Sequence, residues 1–312
     1  MRLLVLGGTR FLGRHLVENA LARGHQVTLF NRGATAPELF PEAERLVGDR
    51  DGGLAPLAEG EWDAVVDTCG FVPRVVRASA QFLAGRVGHY AFVSTIGVYA
   101  DFSRPVSEGR PLAQLEEPGS EDVEKHYGAL KVLCEAAVEE VFGDRALLVR
   151  PGLIVGRYDP TGRFTYWAHR VRRGGEILAP GPPERTVQFI HAADLAAFIL
   201  DLVERRAGGA FNATSEGVAW SELLAGHDVT WVTDEFLLEH GVEEWMGLPL
   251  WIAAPTHTYF LAADVSRAMA AGLRFRPIEE TLRDAAEAPL VDGVGLTTER
   301  EAELLAASRE RA

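Results

Sequence analysis

The sequence predicts an α/β fold with a doubly wound parallel sheet and a smaller C-terminal lobe. Three observations predict it. Short apolar runs alternate with segments of helical periodicity over the first half of the chain. A glycine-rich turn, GGTRFLG (7–13), follows the first apolar run and opens the first helical segment. Beyond Pro151 the alternation stops, and glycine, proline and aromatic residues become frequent.

The predicted elements follow one another in a regular order. Apolar runs predict strands at 2–6, 26–30, 45–47, 64–67, 90–94 and 146–149. Helical spacing predicts helices from residue 12 to the glycine at 24, at 75–83 and at 121–142. A helix at 193–203 and a strand at 211–214 come later, and the charged segment 298–312 predicts either an appended surface helix or a frayed end. Strands that are apolar throughout imply a parallel sheet covered on both faces.

Composition limits the function classes. The 312 residues are 47% hydrophobic and 24% charged, an ordinary balance for a soluble globular protein. A net charge of −14 argues against nucleic-acid binding. No apolar run reaches the ~20 residues of a membrane span, and the start does not resemble a signal peptide. Two distant cysteines and nine scattered histidines show no metal-ligand spacing. We therefore expect a cytoplasmic protein without membrane, nucleic acid or metal as a partner.

The turn GGTRFLG lies where a phosphate-binding turn must lie, between a strand and a helix. Small residues let the backbone approach a pyrophosphate, and the helix N-terminus supplies amide donors and the positive end of the helix dipole. A tight turn without a ligand is the alternative. We expect a dinucleotide to be bound here by Gly7, Thr9, Arg10, Phe11 and Leu12.

The residues after the second strand indicate which dinucleotide is bound. NAD sites commonly carry an acidic residue here, bonded to the ribose hydroxyls, but this chain has Asn31 and Arg32. A carboxylate repels a 2′-phosphate, whereas a guanidinium can bind it through two charge-assisted hydrogen bonds. We interpret Arg10 and Arg32 as facing one phosphate. The predicted cofactor is therefore NADP, with NAD less favoured; the alternative is that both arginines are solvated surface residues.

A tyrosine and a lysine indicate the chemistry. Tyr127 and Lys131 are four residues apart on the predicted long helix and so share one face. A phenol has a pKa of about 10, and a neighbouring ammonium lowers that pKa toward working pH. Ser94 and Thr95 follow the fifth strand, where a hydroxyl can hydrogen-bond a substrate oxygen as charge develops on it.

These motifs together resemble the short-chain dehydrogenase/reductase superfamily, in its extended or atypical branch, the NAD-dependent epimerase/dehydratase family. The resemblance spans most of residues 1–215. It is carried by GGTRFLG, Ser94-Thr95 before Val98-Tyr99, YGALK (127–131), RPG (150–152) and FIHAADLA (189–196). GGTRFLG with NRG (31–33) and GDR (48–50) is similar to a subgroup that includes chloroplast stem-loop-binding proteins and bacterial proteins labelled reductases.

The resemblance implies roles for individual residues. Thr95 would polarise the reacting oxygen, Tyr127 would act as general acid or base, and Lys131 would tune it. Besides Asn31 and Arg32, residues after later strands would contact the cofactor, namely Asp49, Arg50, Thr68, Cys69, Ser94, Pro151, Gly152 and Ile154. Tyr127 and Lys131 of the long helix would contact it as well. Substrate contacts are expected from Tyr99, Tyr158 and Arg163, with plain packing as the alternative for each.

Two departures from the family pattern narrow the reaction. Ile96-Gly97 stand where dehydratases carry Asp-Glu, which argues against 4,6-dehydration. Val187 stands where sugar-nucleotide epimerases carry an arginine, although Arg185 lies two residues away. This difference argues against a nucleotide-diphosphate sugar as the substrate.

The expected function is that of an NADP(H)-dependent oxidoreductase acting on a carbonyl or secondary alcohol of a small metabolite. Two alternatives stay open: an epimerase with tightly bound NAD(P) and a transient keto intermediate, and a non-catalytic cofactor-binding regulator. Residues 1–151, with 186–214 returning to them, are predicted to form the dinucleotide-binding Rossmann domain. Residues 152–185 and 215–312 are predicted to form the substrate-binding lobe and tail. A monomer or homodimer is expected.

Overall fold

A seven-stranded parallel sheet forms the centre of the computed structural model, which describes residues 1–311. The strands are β1 (Arg2–Leu6), β2 (Gln26–Asn31), β3 (Glu44–Val47), β4 (Ala64–Asp67), β5 (Tyr90–Val93), β6 (Ala146–Pro151), β7 (Leu153–Val155), β8 (Ile177–Pro180), β9 (Thr186–Val187), β10 (Phe189–His191), β11 (Gly209–Ala213), β12 (Val218–Ala219) and β13 (Val229–Val232). The helices are α1 (Phe11–Ala22), α2 (Pro73–Leu83), α3 (Val123–Phe142), α4 (Arg163–Arg173), α5 (Ala192–Glu204), α6 (Trp220–Leu223), α7 (Asp234–Glu239), α8 (Ser266–Ala270), α9 (Ile278–Ala285) and α10 (Thr298–Arg311).

The central sheet confirms the predicted fold class. Its strand order is β11-β6-β5-β4-β1-β2-β3, and every neighbouring pair is parallel. All six strands predicted before Pro151 are present, and the predicted strand at 211–214 is the edge strand β11. The strands read as continuous apolar runs because both faces are buried. In β1, for example, Leu3 packs against the layer of α1 and α5, while Leu4 packs against the layer of α2 and α3.

The order of the strands creates a crevice beside β1. From β1 the chain runs outward through β2 and β3, then crosses back to β4 on the opposite side of β1. Adjacent connections therefore leave in opposite directions at the carboxyl ends of β1 and β4. Ligands of doubly wound sheets bind at such a switch point.

The C-terminal lobe has its own apolar core, built around small two-stranded sheets. β7 pairs with β10, β9 with β12, and β8 with β13. Trp167, Trp220 and Trp251 are fully buried in this core. Ala268 and Leu273, however, pack into the core cluster of α1 and α5, although they lie in the range assigned to the lobe. The domain division at residues 151, 186 and 214 stays a prediction.

The C-terminal segment is a packed helix. α10 buries Leu304 and Leu305 against the lobe core. Buried Glu301 pairs with buried Arg170 of α4 at 2.7 Å. Of the two predicted alternatives the helix is confirmed and the frayed end is wrong, because an ion pair and two leucines fix the segment. Ala312, which completes the predicted segment, lies outside the described residues.

Neither a membrane-spanning helix nor a metal cluster occurs among residues 1–311. No helix in that range combines the length and the apolar character that a bilayer crossing requires. No three His, Cys, Asp or Glu side chains there are grouped so that they could hold a metal ion. Cys69 and Cys134 are free thiols. Cellular location and oligomeric state stay predictions.

Candidate functional site

A cleft of about 660 Å³ lies at the carboxyl edge of the central sheet. Its lining contains Thr95 and every residue predicted to bind the cofactor, namely Gly7, Thr9, Arg10, Phe11, Leu12, Asn31, Arg32, Asp49, Arg50, Thr68, Cys69, Ser94, Tyr127, Lys131, Pro151, Gly152 and Ile154. The fold brings them together because each follows the end of a parallel strand or faces one from α3. Their roles in binding stay predictions.

The opening turn has no room for side chains. Gly7 has a φ of +102°, and a Cβ there would lie 2.6 Å from the Thr68 hydroxyl oxygen. A Cβ on Gly13 would lie 3.0 Å from the Cα of Gly8. Asn31 fixes the turn to the end of β2, since its amide donates to the Gly7 carbonyl oxygen at 2.9 Å. The result is a backbone cradle that fits a pyrophosphate at the N-terminus of α1.

The two arginines beside this cradle are exposed. Arg10 directly precedes α1, and Arg32 follows β2; both line the cleft. Within residues 1–311 neither side chain has a hydrogen bond or an ion pair. Their guanidinium groups are therefore available to an anion at this end of the cleft, as the NADP interpretation requires.

Arg50 is different, because its charge is already neutralised. Its guanidinium donates to both carboxylate oxygens of Asp67, at 2.7 and 2.8 Å. Burial alone would raise the pKa of the Asp67 carboxyl, but the Arg50 charge and hydrogen bonds hold that pKa below its ordinary value. The hydroxyl of buried Tyr90 also donates to Asp67, at 2.9 Å. Arg50 lines the cleft, but its guanidinium is occupied by Asp67.

A close backbone contact positions the two predicted catalytic hydroxyls. Thr95 caps a short 3-10 helix at 96–98, where its Oγ1 accepts from the Gly97 amide at 3.0 Å. A Cβ on Gly128 of α3 would lie 2.1 Å from the Gly97 carbonyl oxygen. Because Gly128 has no side chain, α3 approaches this turn closely, and the Thr95 hydroxyl lies near enough to the Tyr127 phenol to act on its pKa. Ser94, next to Thr95, has a buried hydroxyl without a partner among residues 1–311.

Tyr127 stands at a break in α3. The preceding His126 has a non-helical backbone, with φ −122° and ψ 27°, so the regular helix starts at Tyr127. The Tyr127 side chain is 40% exposed. Partial burial raises the pKa of its phenol, while the neighbouring Thr95 hydroxyl and the positive charge of Arg163 act to lower it. Since burial prevails, the phenol is protonated at neutral pH.

The Lys131 ammonium is hydrogen-bonded to the ends of strands rather than to the Tyr127 phenol, and its predicted role in tuning that phenol stays a prediction. Its side chain is 2% exposed, and its ammonium donates to the carbonyl oxygens of Gly70 at 2.8 Å and Val93 at 2.6 Å. The Phe92 ring centre lies 4.2 Å away. Burial lowers the pKa of Lys131 to about 8. A buried ammonium needs acceptors, and the strand ends supply them; the cation that acts on the Tyr127 pKa is Arg163 instead.

The three predicted substrate residues have different surroundings. Tyr99 is 2% exposed and lies outside the cleft lining; it donates to Asn212 at 2.6 Å and accepts from Arg150 at 3.1 Å. These surroundings correspond to the packing alternative, and a substrate contact stays a prediction. Tyr158 lies outside the cleft lining, with its ring under the Arg14 guanidinium at 3.8 Å. Arg163 is placed near Tyr127, as the prediction requires.

Sequence reasoning missed several neighbours of the site. Phe71 and Pro160 line the cleft, and Phe71 lies 5.2 Å from the Lys131 ammonium. Trp245 lies 4.7 Å from the Arg163 guanidinium. Phe71 could have been found because it lies two positions after Cys69, in the segment that follows the fourth strand. No sequence signal connects Trp245 with Arg163, since Trp245 lies 82 positions after Arg163.

No free arginine replaces the one that sugar-nucleotide epimerases carry at the position of Val187. Val187 is buried in the lobe core. Arg185 donates to both carboxylate oxygens of Asp234, at 2.8 and 2.7 Å. Arg185 therefore does not supply the charge that Val187 lacks.

Comparisons with known proteins agree with this geometry. A model of the NAD dependent epimerase/dehydratase family matches residues 3–79 and 58–214. The chain is 30% identical over 243 residues to the 2-alkyl-3-oxoalkanoate reductase of Stenotrophomonas maltophilia, covering 70% of this chain and 68% of that protein. It is 28% identical over 235 residues to the chloroplast stem-loop binding protein of 41 kDa b of Arabidopsis thaliana, covering 69% of this chain but only 59% of that relative.

A solved structure shows the same fold. The Bordetella bronchiseptica enzyme WbmH in complex with NAD+ superposes with a TM-score of 0.66 at 19% sequence identity. The match covers 92% of this chain and 97% of that one. At this level of identity the likeness is one of fold.

Proposed function

This chain belongs to the NAD dependent epimerase/dehydratase family, and from that premise we propose that it is an NADP(H)-dependent oxidoreductase. The proposed reaction interconverts a carbonyl and a secondary alcohol of a small metabolite. One observation carries the proposal: Thr95 and Tyr127 meet beside β5, while two unpaired arginines line the same cleft on the far side of β4 and β1. The two strands between these groups separate them by a distance that suits a dinucleotide, whose nicotinamide end reacts and whose adenosine end is recognised.

The residues present fit a dinucleotide phosphate. The side-chain-free turn at Gly7 and Gly13 leaves space for the pyrophosphate. Arg10 and Arg32 would hold the 2′-phosphate, and the unpartnered Ser94 hydroxyl would face the nicotinamide end. When bound, the nicotinamide supplies or accepts the hydride. The chain's own residues then need to hold the substrate oxygen and move one proton.

Tyr127 and Thr95 are proposed to share that task. In the reducing direction the carbonyl carbon gains the hydride and its oxygen gains the Tyr127 proton. The products are the alcohol and NADP+, and the phenolate recovers its proton from solvent. The Thr95 hydroxyl stabilises charge on the substrate oxygen and on the phenolate. Lys131 holds the ends of β4 and β5 together through Gly70 and Val93.

Reduction is favoured over epimerisation by two observations. The Stenotrophomonas relative is named as a reductase of a 3-oxoalkanoate. In this chain Val187 is buried and Arg185 is occupied by Asp234, so a sugar diphosphate would lack its cation. Net consumption of cofactor separates the two reactions, because an epimerase regenerates its cofactor in every cycle.

A fluorescence titration with NADPH and NADH tests the proposal. We expect NADPH to bind at least ten times more tightly, about 1.4 kcal/mol. Arg10→Ala and Arg32→Ala should each reduce that ratio, whereas Arg172→Ala, an exposed arginine of α4, should not. Equal affinities would show that the arginines do not recognise the phosphate. If neither nucleotide binds, the oxidoreductase proposal fails.

A further inference from the structure

Arg163, the first residue of α4, is a cation without a partner. Its Nε is buried and has no hydrogen-bond partner among residues 1–311. It forms no ion pair with any carboxylate in that range, although the charge of Asp159 acts on it. Burial lowers the pKa of the guanidinium, but an arginine remains charged at physiological pH. Buried donors are normally satisfied, so an unsatisfied one three residues after Pro160, which lines the cleft, points to a ligand.

A second observation fixes the orientation of this cation. The Arg163 guanidinium carbon lies 4.7 Å from the ring centre of Trp245, within the range of a cation–π contact. Trp245 has a left-handed backbone with φ +68°, an unfavourable conformation for a bulky residue. Its amide donates to the Trp251 carbonyl oxygen at 3.1 Å, which holds the loop in this form. Such outliers cluster at functional sites.

Aromatic side chains continue from Trp245 away from Arg163. The Trp245 and Phe260 ring centres are 5.6 Å apart, and those of Phe260 and Phe102 are 5.0 Å apart. All three residues are only partly buried, so protein atoms do not fully cover this aromatic wall, as we call Trp245, Phe260 and Phe102. An exposed apolar surface next to a cation suits a ligand with one charged and one apolar part.

The single positive charge of Arg163 indicates which kind of anionic group the substrate carries. One guanidinium opposes one negative charge and matches a carboxylate in a planar, two-point contact. A diphosphate would need more cations, and Arg185 is occupied by Asp234. The positive charge of Arg163 acts on the pKa of the Tyr127 phenol, so the two side chains lie near each other. A carboxylate on Arg163 therefore brings the neighbouring part of the same molecule to the phenol.

We propose that Arg163 binds a carboxylate of the substrate while Trp245, Phe260 and Phe102 hold its apolar part. The substrate class is then an oxo acid, or the matching hydroxy acid, with an alkyl or aryl substituent. This inference rests on the proposed oxidoreductase function and makes it more specific. In the reducing direction the oxo acid gains a hydride from NADPH and the Tyr127 proton, giving a hydroxy acid and NADP+.

Calorimetric binding of 4-phenylbutyrate and its uncharged amide, 4-phenylbutyramide, tests the carboxylate site. The two probes have the same apolar part, and neither can react. The wild-type chain with NADPH should bind the acid at least ten times more tightly than the amide. Arg163→Gln should remove that preference, Arg163→Lys should keep part of it, and Arg172→Gln on the same helix should leave it unchanged. An equal affinity of the wild type for both probes, or binding of neither, overturns the proposal.

A variant of the aromatic wall separates the two halves of the inference. Phe260→Ala should weaken acid and amide by the same factor, because both lose the same apolar contact. A change in their ratio would contradict the assigned division of roles. The wild-type comparison needs no variant and so does not depend on how the variants fold.

The test also separates this inference from the proposed function. Arg163 is not part of the cleft lining, so Arg163→Gln should bind NADPH as the wild type does. Acid preference without NADPH binding would leave the carboxylate site standing and remove the oxidoreductase proposal. NADPH binding without a preference for the acid would overturn the carboxylate site and leave the oxidoreductase proposal standing.

Discussion

The two ends of the site are built in different ways. The end that would bind adenosine comes from one β1-α1-β2 unit, so the turn at Gly7, Arg10 and Arg32 lie within 26 consecutive residues. The catalytic end is assembled from Thr95 after β5, Tyr127 on α3 and distant segments of the lobe. Local backbone geometry forms the first end, while packing between distant segments forms the second. In the proposed function, recognition of the cofactor is therefore locally encoded, whereas recognition of the substrate depends on tertiary contacts.

Tyr127→Phe gives the sharpest separation of the two ends. It keeps the ring and removes the proton that the proposed reaction requires. We expect turnover to fall by about 10²–10⁴-fold, the usual value of a general acid or base. NADPH affinity should stay within about twofold, because the adenosine end is untouched. Stopped-flow turnover and a nucleotide titration on the same preparation measure both.

Retained turnover in Tyr127→Phe would contradict the proposed role of Tyr127 at the catalytic end of the site. The proton would then come from elsewhere, and the meeting of Thr95 and Tyr127 would be structural. A large loss of NADPH affinity would instead show that the two ends are coupled.

Lys131 lies at the catalytic end, but its bonds connect strand ends. Burial holds its pKa at about 8, below the value of about 10.4 in an unfolded chain. Between these pH values the unfolded chain binds more protons, so the contribution of Lys131 to stability rises with pH. We expect the free energy of unfolding of the wild type, minus that of Lys131→Met, to rise by roughly 3 kcal/mol from below pH 8 to above pH 10.

The other lysine is the matched control for this experiment. Lys125 is exposed and pairs with Glu117 at the surface. The corresponding difference for Lys125→Met should stay flat over the same range. Urea unfolding at several pH values measures all three chains. A flat difference for Lys131→Met would mean that its ammonium is hydrated, which contradicts the contacts with Gly70 and Val93.

Gly128→Ala tests the close contact that forms the catalytic end. The new Cβ would meet the Gly97 carbonyl oxygen at 2.1 Å, so α3 must move. Overpacking of this kind costs about 1–3 kcal/mol. A displacement of Tyr127 by about 1 Å can lower turnover by about 10²-fold. Gly109→Ala, where a Cβ meets nothing within 4 Å, should change neither stability nor turnover by comparable amounts.

Much of the fold could be predicted from the sequence because its signals are local. The β1 strand, the glycine turn and α1 follow one another with regular apolar spacing. The small sheets of the lobe gave no such signal. β9 has two residues, and β8 pairs with β13 across a separation of about fifty positions. Short strands with distant partners lack a periodicity that can be recognised.

The site shows the same limit residue by residue. The predicted cofactor residues all line one cleft because strand ends meet at one edge of the sheet. The packing of Tyr99 could not be predicted, because its buried partner Asn212 lies 113 positions away. The Lys131 spacing from Tyr127 was correct, yet the carbonyl oxygens that bind its ammonium come from other strands. Which acceptor a buried cation finds is decided by tertiary structure.

Tyr158→Phe has the smallest expected effect and tests whether the substrate-binding region extends to Tyr158. The Tyr158 ring lies under Arg14, and its hydroxyl has no hydrogen bond within residues 1–311. Removing that hydroxyl should change stability by less than about 0.5 kcal/mol, and kcat and KM should not change. A several-fold rise in KM would place the substrate against α1 rather than along Trp245 and Phe260. An unchanged KM, measured with an oxo acid that the wild type turns over, would confine recognition to the segments that pack around Arg163.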